Sequence, residues 1–164
     1  MLSIRQAKAS DSDSIWSIFH AVVASADTYV FDPNISRDEA LAYWLDSSTR
    51  CYVAERDGNI VGTYILKPNQ PGLGSHIANA AFMVDPRARG LGLGRAMAEH
   101  CIGEARRLGF RGMQFNFVVS TNKPAIRLWQ NMGFEIVGTL PGVFRHSREG
   151  FVDAFVMFRS LAEH

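Results

Sequence analysis

The most informative segment of the chain reads Arg89-Gly90-Leu91-Gly92-Leu93-Gly94-Arg95. It lies between a predicted strand, His76 to Val84, and a predicted amphipathic helix, Arg95 to Leu108. Alternating glycines let a backbone turn sharply and approach a ligand closely. The start of a helix offers free N–H groups and the positive end of the helix dipole to an anion. Because several arginines add positive charge here, the pattern predicts a phosphate-binding loop.

Two other phosphate-binding loops do not fit this spacing. A P-loop requires Gly-Lys-Ser or Gly-Lys-Thr, which the sequence lacks. A dinucleotide-binding loop reads G-x-G-x-x-G near the start of a βαβ unit, whereas this loop reads G-x-G-x-G and lies in mid-chain. A glycine-rich turn that serves only the packing of the strand against the helix stays open as the alternative.

Hydrophobic periodicity and turn residues along the rest of the chain predict the element order β-α-α-β-β-β-α-β-α-β-β. Neither a repeat nor a linker interrupts this order. We therefore expect a single α/β domain, residues 1–164, built around a mixed sheet. The predicted helices are Asp11 to Ala24, Ser36 to about Ser47, Arg95 to Leu108 and Asn122 to Met132. The predicted strands are Leu2 to Ala7, Cys51 to Glu55, Ile60 to Leu66, His76 to Val84, Met113 to Val118, Phe134 to Val137 and Phe151 to Phe158.

Composition narrows the classes of function. The formal net charge of +1 argues against an electrostatically driven nucleic-acid binder. No apolar run reaches the length of a membrane span, and charged residues early in the chain argue against a secretory signal. Cys51 and Cys101 are too few and too isolated for a disulfide framework or a zinc site. We expect a cytoplasmic protein without a metal.

Two motifs together resemble the GCN5-related N-acetyltransferase (GNAT) superfamily. The R/Q-x-x-G-x-G/A signature of that family matches Arg89 to Gly94. Its second signature resembles Asn122 followed by Ala125-Ile126-Arg127-Leu128-Trp129-Gln130-Asn131-Met132-Gly133-Phe134. The resemblance covers nearly the whole chain, because the predicted element order is also that of the family. It implies a single-domain α/β GNAT fold, with a central mixed, mostly antiparallel sheet flanked by about four helices.

The resemblance also implies a binding site for acetyl-CoA. Backbone groups of the strand before the glycine loop would pair with the pantetheine arm, and N–H groups of the loop would hold the pyrophosphate. Asn122 would reach CoA near its thiol end, and a plain N-cap of the following helix is a compatible second role. The implied contact residues are Phe82, Met83, Val84, Arg89, Gly90, Leu91, Gly92, Leu93, Gly94, Arg95, Asn122, Ala125, Leu128 and Trp129.

The chain departs from the family where many relatives place a tyrosine acid, because Trp129 stands there. An indole N–H donates a hydrogen bond but does not release its proton near pH 7. A thiolate leaving group has a pKa of only about 8.5, so a strong acid is helpful rather than essential. Either the thiolate leaves unassisted, or another group such as Tyr29, Ser120 or Thr121 assists.

A second departure is Asn79, which falls where relatives resembling phosphinothricin and methionine-sulfoximine acetyltransferases carry a glutamate. The trio Asn79, Asn116 and Asn122 resembles fungal acetyltransferases that detoxify proline analogues. This resemblance implies that Asn79 and Asn116 handle the acceptor as the catalytic residues. The alternative is that both amides satisfy backbone groups across strands.

A charged segment between the last two predicted strands contains Arg145, His146 and Arg148. Arginine binds carboxylates in a bidentate manner, so this segment is either a clamp for an acceptor carboxylate or a solvated loop. Both interpretations stay open.

Taken together, the residues and the resemblance predict an N-acetyltransferase that uses acetyl-CoA and acetylates a small, amino-acid-like amine directly. The alternatives are a protein or peptide N-acetyltransferase and a CoA-binding sensor domain without catalysis. The family further implies a homodimer with neither a nucleic-acid partner nor a membrane partner.

Overall fold

The computed structural model describes residues 1–162, which form a seven-stranded sheet and four helices. The strands are β1 (Leu2–Gln6), β2 (Arg50–Arg56), β3 (Asn59–Pro68), β4 (Ile77–Val84), β5 (Gly112–Val119), β6 (Glu135–His146) and β7 (Gly150–Ser160). The helices are α1 (Ser12–Ala24), α2 (Arg37–Trp44), α3 (Leu93–Arg107) and α4 (Lys123–Asn131). The predicted element order and the α/β fold class are confirmed.

Local capping signals set most helix ends. Ser36 caps α2 by accepting a hydrogen bond from the Glu39 N–H at 3.2 Å, as the sequence pattern predicts. Helix α3 stops before Gly109, whose φ of 85° lies in the left-handed region that favours glycine. Helix α2 ends at Trp44, about three residues earlier than predicted.

The strands follow the order β1-β2-β3-β4-β5-β7-β6. All neighbouring strands are antiparallel except β4 and β5, which run parallel. One parallel pair in the middle of the sheet makes it mixed and mostly antiparallel, as expected.

Each face of the sheet carries its own hydrophobic core. On one face α1 and α2 cover a cluster that includes Ile15, Phe19 and Trp44, all completely buried. On the other face α3 covers a cluster that includes Met97 and Cys101, also completely buried. Two helical layers on a central sheet explain how a chain of this length buries its core without disulfide bonds.

Strand β6 is much longer than predicted. The sequence predicts that this strand ends at Val137, but β6 continues to His146. The pairing of β6 with β7 shifts register between Leu140 and Phe144, which lifts Pro141 out of the ladder. Arg145 and His146 therefore lie in a strand, and the expectation that they lie in a loop is wrong.

Residues 1–162 contain neither a candidate membrane span nor a candidate metal cluster. None of their helices has both the length and the apolar character that crossing a membrane requires. The same residues contain no group of three or more His, Cys, Asp or Glu side chains arranged to hold a metal ion.

Candidate active site

The centre of the sheet opens into a fork between β4 and β5. The two strands pair only at Ile77 with Gly112 and Ala78 with Met113, and then they separate. Just past the last pair, Asn79 Nδ2 donates a hydrogen bond to the carbonyl oxygen of Gln114 at 2.9 Å. The Asn79 side chain therefore bridges the apex of the fork and satisfies a carbonyl that the separating backbones leave unpaired.

Backbone groups of β4 point alternately toward β3 and into the fork. Asp85 N–H donates to the carbonyl of Val61 in β3 at 2.9 Å, and the register with β3 is unbroken. By alternation, the N–H and C=O of Met83 also face β3, whereas those of Phe82 and Val84 face the fork. Of the three β4 residues implied in CoA binding, two thus present backbone groups to a ligand in the fork.

The glycine loop lies between the end of β4 and the start of α3. Gly90 and Gly92 have φ angles of 81° and 73°, a conformation that residues with a Cβ rarely adopt. Gly92 directly precedes the first residue of α3, so the N–H groups of the first helical turn are not used within the helix. Among the described residues, no heavy atom lies within 4 Å of where a Cβ on either glycine would be. The loop thus has left-handed glycines with open space around them and leads into a helix N-terminus, where an anion can bind.

Arginines near the loop differ in how they are held. Arg87 pairs with Asp85 at 2.9 Å, and Arg95 pairs with Glu99 at 2.9 Å along α3. The Arg87 guanidinium lowers the pKa of the Asp85 carboxyl, so this pair stays charged. The carboxylates of Asp85 and Glu99 therefore partly compensate the charge of these two arginines before any anion binds.

Two polar side chains lie at the start of α4. Asn122 Oδ1 accepts a hydrogen bond from the Ala125 N–H at 3.4 Å and caps the helix, so its N-cap role is present. Next to it, Thr121 Oγ1 is buried and has no hydrogen-bond partner among the described residues. A buried hydroxyl without a partner is costly, so Thr121 is a candidate contact for a ligand group.

Trp129 packs inside an aromatic cluster rather than facing solvent. Its ring lies 5.0 Å from Phe82, 4.4 Å from Phe115 and 5.6 Å from Phe134, measured between centroids. Its side chain is buried. The preceding residue, Leu128, lies 3.4 Å from where a Cβ on Gly94 would be, so α4 packs directly on the start of α3.

A bulge in β5 brings two side chains onto the face opposite α3. Three steps along β5, from Phe115 to Val118, match two steps along β7. Both Phe115 and Val118 belong to the core on the α3 side. Asn116 and Phe117 between them consequently share the opposite face, which also carries the Asn79 side chain.

The amides on this face form a connected chain. Gln114 Nε2 donates to Asn116 Oδ1 at 2.9 Å, and Asn116 Nδ2 donates to Asn69 Oδ1 at 2.7 Å. Together with the bond from Asn79 to the Gln114 carbonyl, these hydrogen bonds connect the apex of the fork to the loop after β3. The structure thus brings Asn79 and Asn116 together on one face.

Two segments meet beside this face. The loop between α1 and α2 places Tyr29 Oη against Phe82, where it accepts from the N–H at 3.1 Å and donates to the carbonyl oxygen. The turn between β6 and β7 docks on the same loop, because Ser147 N–H donates to the Ala26 carbonyl at 3.1 Å and Ser147 Oγ donates to the Ser25 carbonyl at 3.0 Å. The Tyr29 loop and the β6–β7 turn are therefore held together within a single copy of the chain.

His146 at the end of β6 is held within the β6–β7 turn. Its Nδ1 accepts hydrogen bonds from the N–H groups of Arg148 and Glu149, at 3.0 and 3.2 Å. The imidazole therefore orders this turn. The arginine neighbours of His146 in the sequence, Arg145 and Arg148, are exposed.

A family model described as the acetyltransferase (GNAT) family matches residues 16–134. The chain belongs to the GNAT family. This agrees with the open glycine loop and the capped α4, which are the two places where the sequence motifs fall.

Similar proteins give the enzyme class of this GNAT protein. N-acetyltransferase aca1 of Schizosaccharomyces pombe is 32% identical over 151 residues, covering 82% of this chain and 72% of its own. L-methionine sulfoximine/L-methionine sulfone acetyltransferase of Salmonella typhimurium is 29% identical, covering 87% and 85%. A GCN5-related N-acetyltransferase structure from Kribbella flavida superposes with a TM-score of 0.93 at 41% identity, covering 97% of each chain. The protein is an N-acetyltransferase.

Acetyl-CoA as the cosubstrate of this GNAT enzyme is supported by a solved relative. The Salmonella typhimurium protein yncA, solved with its cofactor acetyl-CoA, superposes with a TM-score of 0.87 at 27% identity, covering 100% of this chain and 96% of that one. The residues of the present chain fit such a ligand, because the glycine loop is left-handed and open at a helix N-terminus and the β4 backbone groups of Phe82 and Val84 face the fork.

Sequence patterns do not identify several residues around the candidate site. Asn69 and Gln114 hydrogen-bond to Asn116, and Ser147 joins the β6–β7 turn to the loop that carries Tyr29. The sequence offers no local signal for them, because each contact joins residues from different elements or depends on a bulge. The docking of Tyr29 on Phe82 joins residues 53 positions apart and is equally invisible to local patterns.

Proposed function

We propose that this GNAT N-acetyltransferase transfers the acetyl group of acetyl-CoA directly to the amine of a small, amino-acid-like acceptor. The observation that carries the proposal is the face of the sheet beside the fork, where Asn79 and Asn116 are linked through amide hydrogen bonds. Amide side chains can donate to and accept from the polar groups of a small amino-acid-like molecule, whereas an extended peptide needs a long open groove.

Two relatives are named for small acceptors of this chemical class. One is the L-methionine sulfoximine/L-methionine sulfone acetyltransferase of Salmonella typhimurium. The other is L-amino acid N-acyltransferase MnaT of Escherichia coli, which is 29% identical over 148 residues. These names support an amino-acid-like acceptor, and the family membership counts against a sensor domain without catalysis.

In the proposed enzyme, residues on the two sides of the fork have separate tasks. Asn79 and Asn116 contact and orient the acceptor. Contacts to acetyl-CoA are assigned to the backbone of β4 at Phe82 and Val84, to the loop Arg89 to Arg95, and to the start of α4 from Asn122 to Trp129. Amides cannot act as bases, so their contribution is positioning, which alone accelerates reactions strongly.

Lys67 offers a positive charge for an acceptor carboxylate. It pairs with Asn79 across β3 and β4, and directly opposite residues project from the same face of a sheet. Its ammonium group donates to Tyr43 Oη at 3.1 Å and lies 4.7 Å from the centre of the Tyr43 ring, which fixes its position. This charge supports an acceptor that carries both an amine and a carboxylate.

The test is to follow CoA release with a thiol reagent while acetyl-CoA is offered a panel of acceptors. The panel contains free amino acids, azetidine-2-carboxylate, hydroxyprolines, methionine sulfoximine, phosphinothricin and a few N-terminal peptides. Turnover with one or more of the small amino acids is the expected result. Turnover with peptides alone would replace the proposal with a peptide N-acetyltransferase.

Asparagine variants then test the site. Asn79→Ala and Asn116→Ala should each lower turnover at least about tenfold while acetyl-CoA binding persists, since positioning effects of this size are common. Asn59→Ala is the matched control, because Asn59 begins β3 and its side chain bonds only to the nearby turn at Asp57. Unchanged kinetics in both test variants would rule out the assignment.

The proposal also includes a homodimer in the cytoplasm. Strand β6 is an edge strand of the sheet and exposes Ile136, Val137, Leu140 and Val143. An exposed apolar edge favours pairing with another chain, and a second copy is the partner proposed here. Light scattering should give twice the monomer mass for the protein and the monomer mass for Val137→Lys combined with Val143→Lys.

The proposed location in the cytoplasm is supported by the cysteines. Cys51 and Cys101 are both free and buried, which suits a reducing compartment.

A further inference from the structure

The hydroxyl of Tyr29 occupies the backbone groups that an acyl group in the fork needs. It accepts a hydrogen bond from the Phe82 N–H at 3.1 Å and donates one to the Phe82 carbonyl oxygen. Both groups face the fork rather than β3, as the β3–β4 register requires. One side chain from a distant loop therefore caps the point where β4 could donate to a carbonyl oxygen.

Tyr29 is held in this position by contacts on several sides. Its ring lies 6.2 Å from Phe31, which in turn packs 5.0 Å from Phe19 in the core beneath α1. The loop that carries it is fixed at Ala26, which has a φ of 51° and accepts the hydrogen bond from the Ser147 N–H. The position of the Tyr29 hydroxyl is therefore fixed by packing of its ring against core aromatic residues and by the turn that docks on its loop.

We propose that Tyr29 is a catalytic hydroxyl, which caps the Phe82 N–H in the resting enzyme and relays the acceptor proton to the leaving thiolate during acetyl transfer. This inference rests on the proposed acetyl transfer and names a residue that the family signatures do not contain. When the thioester carbonyl takes the Phe82 N–H, the displaced hydroxyl stays one hydrogen bond away from the acyl carbon.

The proposed step balances in atoms and electrons. The acceptor nitrogen forms a bond to the acyl carbon, and the carbon–sulfur bond breaks with its electron pair on sulfur. The nitrogen gives one proton to the Tyr29 oxygen while the Tyr29 O–H proton passes to the sulfur. Amide and thiol are the products, and the tyrosine is unchanged.

The environment of Tyr29 favours a relay over a free tyrosinate. Burial of its hydroxyl raises the pKa of Tyr29 to about 12. An ordinary thiol has a pKa of about 8.5, so a tyrosine that only gave its proton to the thiolate would be left as an unfavourable anion. A neutral hydroxyl that gains one proton as it loses another avoids this anion. In the structure the hydroxyl already accepts one hydrogen bond and donates another, which is the arrangement that such a relay needs.

Binding measurements test the capping role without any acceptor. In this proposal the Phe82 N–H binds the acyl carbonyl oxygen rather than a group of the pantetheine arm. Free CoA has no acyl carbonyl, so only acetyl-CoA must displace Tyr29 from Phe82. In Tyr29→Phe the competing hydroxyl is gone, and calorimetry should show acetyl-CoA binding about threefold to tenfold tighter, with CoA binding unchanged. Equal effects on the two ligands, or no effect on either, would overturn the capping role.

Kinetics test the relay. Tyr29→Phe should lower kcat about a hundredfold or more, the usual size of a lost proton-transfer group. The matched control is Tyr52→Phe, because the Tyr52 hydroxyl donates to Glu104 at 2.6 Å on the α3 side of the sheet, and its kcat should stay within twofold. A kcat for Tyr29→Phe within threefold of the unmodified enzyme would overturn the relay. Inactivity of the unmodified enzyme on every acceptor would instead refute the proposed function, and the binding test would still decide the capping role.

A fluorinated tyrosine at position 29 covers the case in which Tyr29→Phe does not fold. It keeps the ring and the hydroxyl but lowers the phenol pKa. Because the relay needs a neutral hydroxyl, the alkaline pH at which activity is lost should be lower in the protein with fluorinated Tyr29 than in the original enzyme. An unmoved pH profile would contradict the relay, since a purely structural tyrosine would not change it.

Discussion

Replacement of Gly92 by aspartate separates the stability of the fold from the binding of a pyrophosphate. Gly92 has a φ of 73° and directly precedes α3, and no described heavy atom lies within 4 Å of where its Cβ would be. Asparagine and aspartate tolerate left-handed backbone better than other residues with a Cβ, and aspartate at a helix N-terminus gains about 0.3–1 kcal/mol from the helix dipole. Gly92→Asp should therefore fold normally, with a free energy of unfolding within about 1 kcal/mol of the original.

The same carboxylate should repel the pyrophosphate of CoA. At about 6 Å, two unit charges repel by roughly 0.7 kcal/mol in water and 2.8 kcal/mol at an effective dielectric constant of 20. These values correspond to about threefold to a hundredfold weaker binding. Gly92→Asn is the neutral control of matched shape, and Gly109→Asp places the same charge at the other end of α3 at a φ of 85°.

Calorimetry with CoA measures the effect, and thermal unfolding checks the fold. Gly92→Asp should bind CoA at least about threefold more weakly than Gly92→Asn, and 1 M salt should shrink the difference because it shortens the Debye length to about 3 Å. Gly109→Asp should bind like the original protein. If Gly92→Asp binds CoA as well as Gly92→Asn does, the glycine loop does not hold the pyrophosphate and the reasoning fails.

Three further changes test other parts of the structure. Lys67→Met should raise the acceptor KM about tenfold with little effect on the KM for acetyl-CoA, if its ammonium binds the acceptor carboxylate; equal effects on both would exclude that role. Burial lowers the pKa of His100, whose Nδ1 lies 2.6 Å from Tyr64 Oη. The unfolded chain therefore takes up this proton first, and thermal stability should fall from about pH 7 to pH 5, less steeply in His100→Gln; equal slopes would argue against this residue. Thr63→Val should cost about 1–3 kcal/mol in urea unfolding because it leaves the buried Trp44 Nε1, now 3.0 Å from Thr63 Oγ1, without an acceptor; Thr63→Ser should recover most of that loss.

Features that depend on neighbouring residues could be predicted from the sequence. Ser36 and Glu39 form the predicted cap, Gly109 ends α3, and Asn122 caps α4. The glycine loop follows from the same local logic, because its spacing alone requires a sharp turn before a helix. These signals fix the order of elements, and the order restricts the sheet to few topologies.

Features that depend on contacts between distant strands could not be predicted in this way. Local propensity at Pro141-Gly142 favours a loop, but pairing with β7 overrides it and β6 continues to His146. Which β4 backbone groups face the fork depends on the register with β3, and a shift of one residue would expose Met83 instead of Phe82. The bulge that turns Asn116 toward Asn79 likewise exists only in the paired sheet.

The fork itself links these observations to catalysis. A sheet that separates in its middle leaves backbone donors and acceptors without strand partners, and buried backbone groups must be satisfied. This chain satisfies one carbonyl with Asn79 and both groups of Phe82 with Tyr29, using side chains rather than a strand. Side-chain bonds of this kind can be exchanged for bonds to a ligand without unfolding the sheet, whereas strand pairs cannot. In the proposed mechanism a ligand in the fork displaces the Tyr29 hydroxyl from Phe82, which is why a residue that stabilises the empty fork is also suited to act on its contents.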